Sequence, residues 1–179
     1  RSNTPADLWH FWKPFVLDAG LAEVVERTEG VLEGVYLCPS QWGEKAEFRP
    51  AEWVFEVMQT LQPRAKTLVE MTQRARFYFV KDIQFDEVAV AKNLKPEAKV
   101  PMQDLIQGLE GLSEPWQQAD LENLFGQIIE RHGIKMVKLA MPVRVGLTGE
   151  SVSPGIFEIV KLLGRALSLE RLQKAMERI

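Results

Sequence analysis

Apolar residues recur along this chain at intervals of three and four, with polar residues between them, which is the period of helices that bury one face. No stretch of strand length sets β-branched residues against polar ones in strict alternation, so the expected fold class is all-α. The first element opens at Thr4-Pro5-Ala6-Asp7: a hydroxyl cap, a proline in the first turn, and an acid three residues after the cap. Leu8, Phe11, Trp12, Phe15 and Val16 follow as its apolar positions. Pro14 removes a backbone donor within this helix, which predicts a kink or break near Lys13 and an end at Gly20. Another short helix is expected over residues 21–33. Residues 34–49, with Pro39, Gly43 and no sustained period, read as a connection.

Pro50 then starts a helix whose Trp53, Val54, Val57, Met58 and Leu61 share a face, and Pro63 closes it. Thr67 and Glu70 predict a capping box for the next helix, with Leu68, Met71 and Ala75 facing inward and Arg64 in the tight link before it. After Phe77-Tyr78-Phe79 the composition turns acidic and sparsely apolar, which places a boundary near Asp82. The expected subdomains are residues 1–82 and 83–179. In the second, residues 116–132 give the clearest helical pattern, through Leu121, Leu124, Phe125, Ile128 and Ile129, with Gly133 as the cap. Pro154 is expected to start a helix carrying Ile156, Ile159, Val160 and Leu163 and stopping at Gly164. Ser168 is expected to cap a last one with Leu169, Leu172, Ala175 and Met176.

The chain has 179 residues, enough for one domain of ordinary size or two small ones, and its 46% hydrophobic and 26% charged residues suit a protein that buries a core. No apolar run approaches the ~20 residues that span a bilayer, so no membrane association is expected. The opening residues lack a basic, apolar and small-residue cleavage pattern, and the single Cys38 cannot form an internal disulfide. A reducing, cytoplasmic setting is therefore expected. The net charge of −3 conceals alternating blocks: −5 over residues 1–61, +4 over 62–81, −7 over 82–130 and +5 over 131–179. Between Arg131 and Gly149 there is no acid at all, while Arg131, Lys135, Lys138 and Arg144 supply positive charge.

Catalytic chemistry is not indicated, and no catalytic residue or metal ligand is assigned. There is no Gly-rich phosphate loop, no Cys or His pair at metal spacing, and no Ser, His and acid set in a recognisable local setting. His10, His132 and Cys38 are expected in structural roles. The tryptophans Trp9, Trp12, Trp53 and Trp116 fall where helices bury them, in acidic blocks that do not suit base stacking.

One stretch is specific. Met141-Pro142-Val143-Arg144-Val145-Gly146-Leu147-Thr148-Gly149, then Ser153-Pro154-Gly155-Ile156-Phe157-Glu158 and Leu162-Leu163-Gly164-Arg165, resembles the C-terminal signature of bacterial-type glutamyl-tRNA synthetases. Asp18-Ala19-Gly20-Leu21 and Pro63-Arg64-Ala65-Lys66-Thr67-Leu68 match two further landmarks of that family, and the spacing between landmarks extends the resemblance over residues 1–179. The resemblance implies an all-α anticodon-binding region of two subdomains, an α-helix cage on the anticodon arm of tRNA(Glu). The catalytic half of such a synthetase, a class I glutamate–tRNA ligase using ATP and magnesium, is absent from this sequence. The chain alone is therefore not expected to aminoacylate or to hold a cofactor, and its expected partners are tRNA(Glu) and that catalytic domain, with no DNA.

Arg64 matches the arginine that reads the third anticodon base in this family. A guanidinium suits the O2 and N3 acceptors of cytosine and opposes the N1 and N2 donors of guanine, separating glutamate from glutamine anticodons. Family members that accept both tRNAs lack this arginine, so the resemblance implies the discriminating type. Arg144, Ser153, Pro154 and Ile156 match positions that contact the other two bases, with serine and isoleucine standing where the family has threonine and leucine. Lys135, Lys138, Arg165 and Arg171 are expected as phosphate contacts on charge alone. Beside this reading stand a free-standing tRNA-binding module and an all-α protein-docking domain.

Overall fold

In the computed structural model, which describes residues 4–26, 28–29, 33–43 and 47–179, helices dominate and a small three-stranded antiparallel sheet accompanies them. The chain divides into two units, Arg1–Asp82 and Ile83–Ile179, each with its own core.

In the first unit, α1 (Pro5–Asp18) begins with the expected capping box. Thr4 Oγ1 accepts the Asp7 amide at 3.2 Å and Asp7 Oδ2 accepts the Thr4 amide at 2.9 Å; the Thr4 hydroxyl, 2.8 Å from Asp7 Oδ2, and then that amide hold the Asp7 carboxyl below its ordinary pKa. The predicted break at Lys13 does not occur, and α1 runs through Pro14. Proline costs the helix one bond, to the carbonyl four residues back at His10. Both residues are exposed, so water replaces the lost donor.

The expected helix at 21–33 is also corrected where it is described, residues 27 and 30–32 of it lying outside the described residues. Ala22–Val25 is strand β1, paired antiparallel with β2 (Gly34–Leu37), which pairs in turn with β3 (Phe48–Pro50); Val24 faces Val35, and Val35 faces Arg49. The valines gain more from pairing with a strand ten residues away than from a helix they favour weakly. A Cβ on Gly34 would overlap the Arg49 carbonyl, so the close approach of β2 and β3 requires glycine.

A four-residue helix α2 (Pro39–Trp42) follows β2, and its Trp42 Nε1 donates to the Phe79 carbonyl at 3.0 Å. α3 (Ala51–Leu61) buries Val54, Val57, Met58 and Leu61. A 3-10 turn (Gln62–Arg64) leads to α4 (Leu68–Phe79). Thr67 caps α4 by accepting the Glu70 amide at 3.1 Å. The reciprocal half of the predicted box is displaced by one residue, because the Glu70 carboxylate accepts the Lys66 amide at 2.8 Å. That bond, and then Arg74 Nη2 at 2.8 Å, hold the Glu70 carboxyl below its ordinary pKa. Trp12 joins α1 to α4: its ring is edge-on to Phe79, and its Nε1 donates to Thr72 Oγ1 at 2.9 Å.

The second unit is wholly helical among its secondary-structure elements: α5 (Glu87–Asn93), a 3-10 turn (Pro96–Ala98), α6 (Lys99–Gly111), α7 (Gln118–His132), α8 (Met136–Thr148), α9 (Ile156–Leu163) and α10 (Arg165–Met176). α8 runs through the middle, packed against α5, α6, α7, α9 and α10, and every residue from Val145 to Gly149 is buried. Gly133 closes α7 as expected. Ser168 is not a cap. Gly164, at φ +81°, turns the chain and restarts it as α10 at Arg165, leaving Ser168 buried inside that helix.

Candidate nucleic-acid interface

In the first unit, Arg64 ends the 3-10 turn between α3 and α4. The Ala65 amide bonds back to the Leu61 carbonyl at 3.0 Å, and Ala65 then leaves in extended conformation. Pro63 fixes one backbone angle beside it. The Arg64 side chain is exposed and makes no ion pair among the described residues. A rigid backbone thus carries a long, always-charged, five-donor group into solvent.

In the second unit, the turn from α8 to α9 brings Arg144, Ser153, Pro154 and Ile156 into one stretch of structure. Thr148 organises it: its hydroxyl lies 2.8 Å from the Arg144 carbonyl oxygen and accepts the Glu150 amide at 3.1 Å. Gly149 at φ +82° closes α8, and its own carbonyl accepts the Asp86 amide at 2.9 Å. A Cβ at this position would overlap the Gln84 carbonyl oxygen, so the backbone is fixed here by sterics as well as by its positive φ.

Arg144 is half-buried, with Nη1 3.9 Å from Met141 Sδ. Ser153 is 6% exposed and donates to the Pro154 carbonyl at 2.8 Å. Pro154 is buried, and Ile156 is 5% exposed. These three side chains pack inward, and what the turn presents outward is Glu150 and Val152, the latter 62% exposed, together with the start of α9. Gly155 is the N-cap there and supplies no side-chain acceptor, so the first-turn amides of α9 point outward without a side-chain cap. Helix α9 thus starts two residues later than its proline suggested.

The four basic residues named on charge alone separate. Lys135 and Lys138 are exposed at the start of α8, where no acid shares the first turn. Arg165 is half-buried; its Nη2 donates to the Glu110 carbonyl at 2.9 Å and its Nε lies 3.6 Å from Glu114. Arg171 is a correction: it is 3% exposed, and its Nη1 donates to the Leu147 carbonyl at 2.8 Å, satisfying a carbonyl that α8 leaves open at its C-terminus. A guanidinium committed there cannot reach a phosphate. Val152 was not singled out by the sequence, because an isolated valine in a polar turn carries no periodic signal.

No group of three or more His, Cys, Asp or Glu residues that could hold a metal occurs among the described residues, and no described helix is long and apolar enough to cross a membrane. His132 Nε2 lies 2.6 Å from Asp104 Oδ2 and joins α7 to α6. This hydrogen bond first, and Arg131 at 3.4 Å after it, hold the Asp104 carboxyl below its ordinary pKa.

The comparisons with known proteins bear on both places. The glutamate–tRNA ligase of Syntrophobacter fumaroxidans is 42% identical over 128 residues, which are 72% of this chain and 27% of that protein. That of Desulfosudis oleivorans is 37% identical over 160 residues, 88% of this chain and 34% of that protein. The chain thus spans about a third or less of the length of these relatives. In structure it resembles a glutamate tRNA ligase from Elizabethkingia meningosepticum, with a TM-score of 0.73 over 98% of this chain and 29% of that one. At 20% identity, this likeness speaks to the fold. A family model described as the anticodon binding domain matches residues 23–176, and the chain belongs to that family.

Proposed function

We propose that this chain grips the anticodon arm of tRNA(Glu) as the anticodon-binding part of a cytoplasmic glutamate–tRNA ligase of the discriminating type. The observation that carries the reading is Arg64: an exposed guanidinium without an ion-pair partner among the described residues, on a turn whose backbone is fixed on both sides. Held there, it donates to the O2 and N3 acceptors of cytosine at the third anticodon position. It rejects guanine, whose N1 and N2 donors oppose it. The turn from α8 to α9 takes the other two bases. Arg144 supplies donors, the uncapped amides of α9 meet base or phosphate acceptors, and the buried Ser153, Pro154 and Ile156 set the backbone that presents them. Lys135 and Lys138 add phosphate attraction without sequence information. ATP and magnesium would serve the catalytic part of such a ligase, and no residue of this chain is assigned to them.

The test is binding of the chain, at one fixed low salt concentration, to two tRNA(Glu) transcripts that differ only in C or G at the third anticodon position. Weaker binding of the G form, by a margin worth ~1–3 kcal/mol that Arg64→Gly removes, is the expected result. Equal binding of both forms removes Arg64 as the discriminator. Binding of neither, or binding insensitive to salt, points instead to a protein-docking domain, because contacts that are not phosphate contacts release few counterions.

A further inference from the structure

Helix α4 carries an outward stripe that anticodon reading by Arg64 does not use. Val69, Gln73 and Arg76 are spaced by four and three residues, so they lie on one face, and all three are exposed; Val69 is 54% open to solvent. They cover about 10 Å of helix. The stripe begins five residues after Arg64, a chain distance of at most ~18 Å. Arg76 makes no ion pair among the described residues. The one acid of α4, Glu70, is turned to Arg74 and the Lys66 amide on the flank of the helix, so it does not neutralise this face. The acids of α3, Glu52 and Glu56, stand in that helix's first half, and its last turn carries none. An exposed valine, an amide and an unpaired arginine in line is a poor docking face for a protein, which would bury more apolar area. It is complementary to a single strand with a charged backbone and splayed bases.

We propose that Val69, Gln73 and Arg76 form a track for the RNA nucleotides adjoining the third anticodon base. Arg76 contacts a phosphate, Gln73 offers both a donor and an acceptor to a base edge, and Val69 supplies the apolar surface on which a base rests. This inference rests on the anticodon-binding reading above. It differs from it in its residues and in the kind of discrimination each gives: the track positions the strand, and Arg64 reads it.

The experiment measures affinity of the full chain for the C and G forms of the tRNA(Glu) transcript across a salt series. The variants are Arg76→Ala, Val69→Ser and Gln73→Ala, with Arg64→Gly and the exposed Lys92→Ala of the other unit as references. Circular dichroism melts confirm that each variant is folded. Arg76→Ala is expected to lower the slope of log affinity against log salt by about 0.7, the value for one single-strand phosphate, and to weaken both transcripts by the same factor. Val69→Ser is expected to weaken both about fivefold. If Arg76→Ala and Val69→Ser match Lys92→Ala while Arg64→Gly still abolishes discrimination, the track is overturned and the reading by Arg64 stands. If the unmutated chain shows no salt-dependent binding to either transcript, both are overturned.

Discussion

Arg171 Nη1 donates to the Leu147 carbonyl oxygen at 2.8 Å, so a charged side chain in α10 completes the open end of α8. Arg171→Met keeps the apolar stem and loses the donors. It is expected to cost about 1.5–3 kcal/mol of stability, because a buried carbonyl loses a charged partner. Urea unfolding reads this directly. The salt dependence of RNA binding is expected to stay unchanged; a variant of wild-type stability with a reduced salt slope would put Arg171 at the RNA after all.

Lys135 and Lys138 give the opposite expectation. Both are exposed, so replacing either by alanine leaves thermal stability nearly unchanged. Each change is expected to lower the salt slope of tRNA(Glu) binding by roughly 0.7–0.9, with no change in preference between anticodon variants. Titrations at several salt concentrations separate this outcome from a general loss of affinity.

Gly149 fixes the turn on which Arg144 and the start of α9 depend. Gly149→Ala places a side chain at φ +82° and against the Gln84 carbonyl, at an expected cost of about 1–3 kcal/mol from backbone strain alone. Affinity for transcripts altered at the first two anticodon positions is expected to converge on that for the unaltered transcript. Discrimination at the third position, proposed for Arg64 on the other unit, is expected to survive. Loss of both together would show that the substitution acts by unfolding the chain.

The bond between His132 and Asp104 predicts a dependence on acid. Asp104 has a folded pKa below its unfolded value of about 3.9, so the unfolded chain binds its proton more readily. Its contribution to stability is therefore complete above pH ~4 and is lost as pH falls through the lower folded value. Asp104→Asn is expected to be less stable than the unmutated chain at neutral pH, and the gap should close in strong acid. Urea midpoints measured from pH 7 down to pH 2 test this; a constant gap would mean that the carboxylate charge is irrelevant.

The chain's local signals were legible where the stabilising partner lies within one helical turn. Thr4 and Asp7, the Thr67 cap, the apolar face of α3 and the Gly133 end of α7 are of this kind, since a cap or stripe involves residues no more than four apart. The motif from Met141 to Arg165 also carried the family, because its residue types and spacing are improbable by chance. The three strands were hidden because a strand's partners lie elsewhere in the chain: Ala22–Val25 shows no helix-breaking residue, and only Gly34–Leu37 beside it makes it a strand. Pro14 misled for a related reason, as its cost depends on whether water reaches the freed carbonyl.

The same division applies to the site. The sequence by itself determined which residue types stand at Arg64, Arg144 and the start of α9, and therefore their charge and hydrogen-bonding capacity. Only the tertiary structure decided which of these side chains meet solvent. In the second unit, packing of α8 against five other helices turned Arg171, Ser153 and Ile156 inward and left Val152 outside; in the first, the packing of α3 and α4 left Arg64 and the α4 stripe exposed. Charge and hydrophobicity are properties of a residue, whereas exposure is a property of everything packed around it.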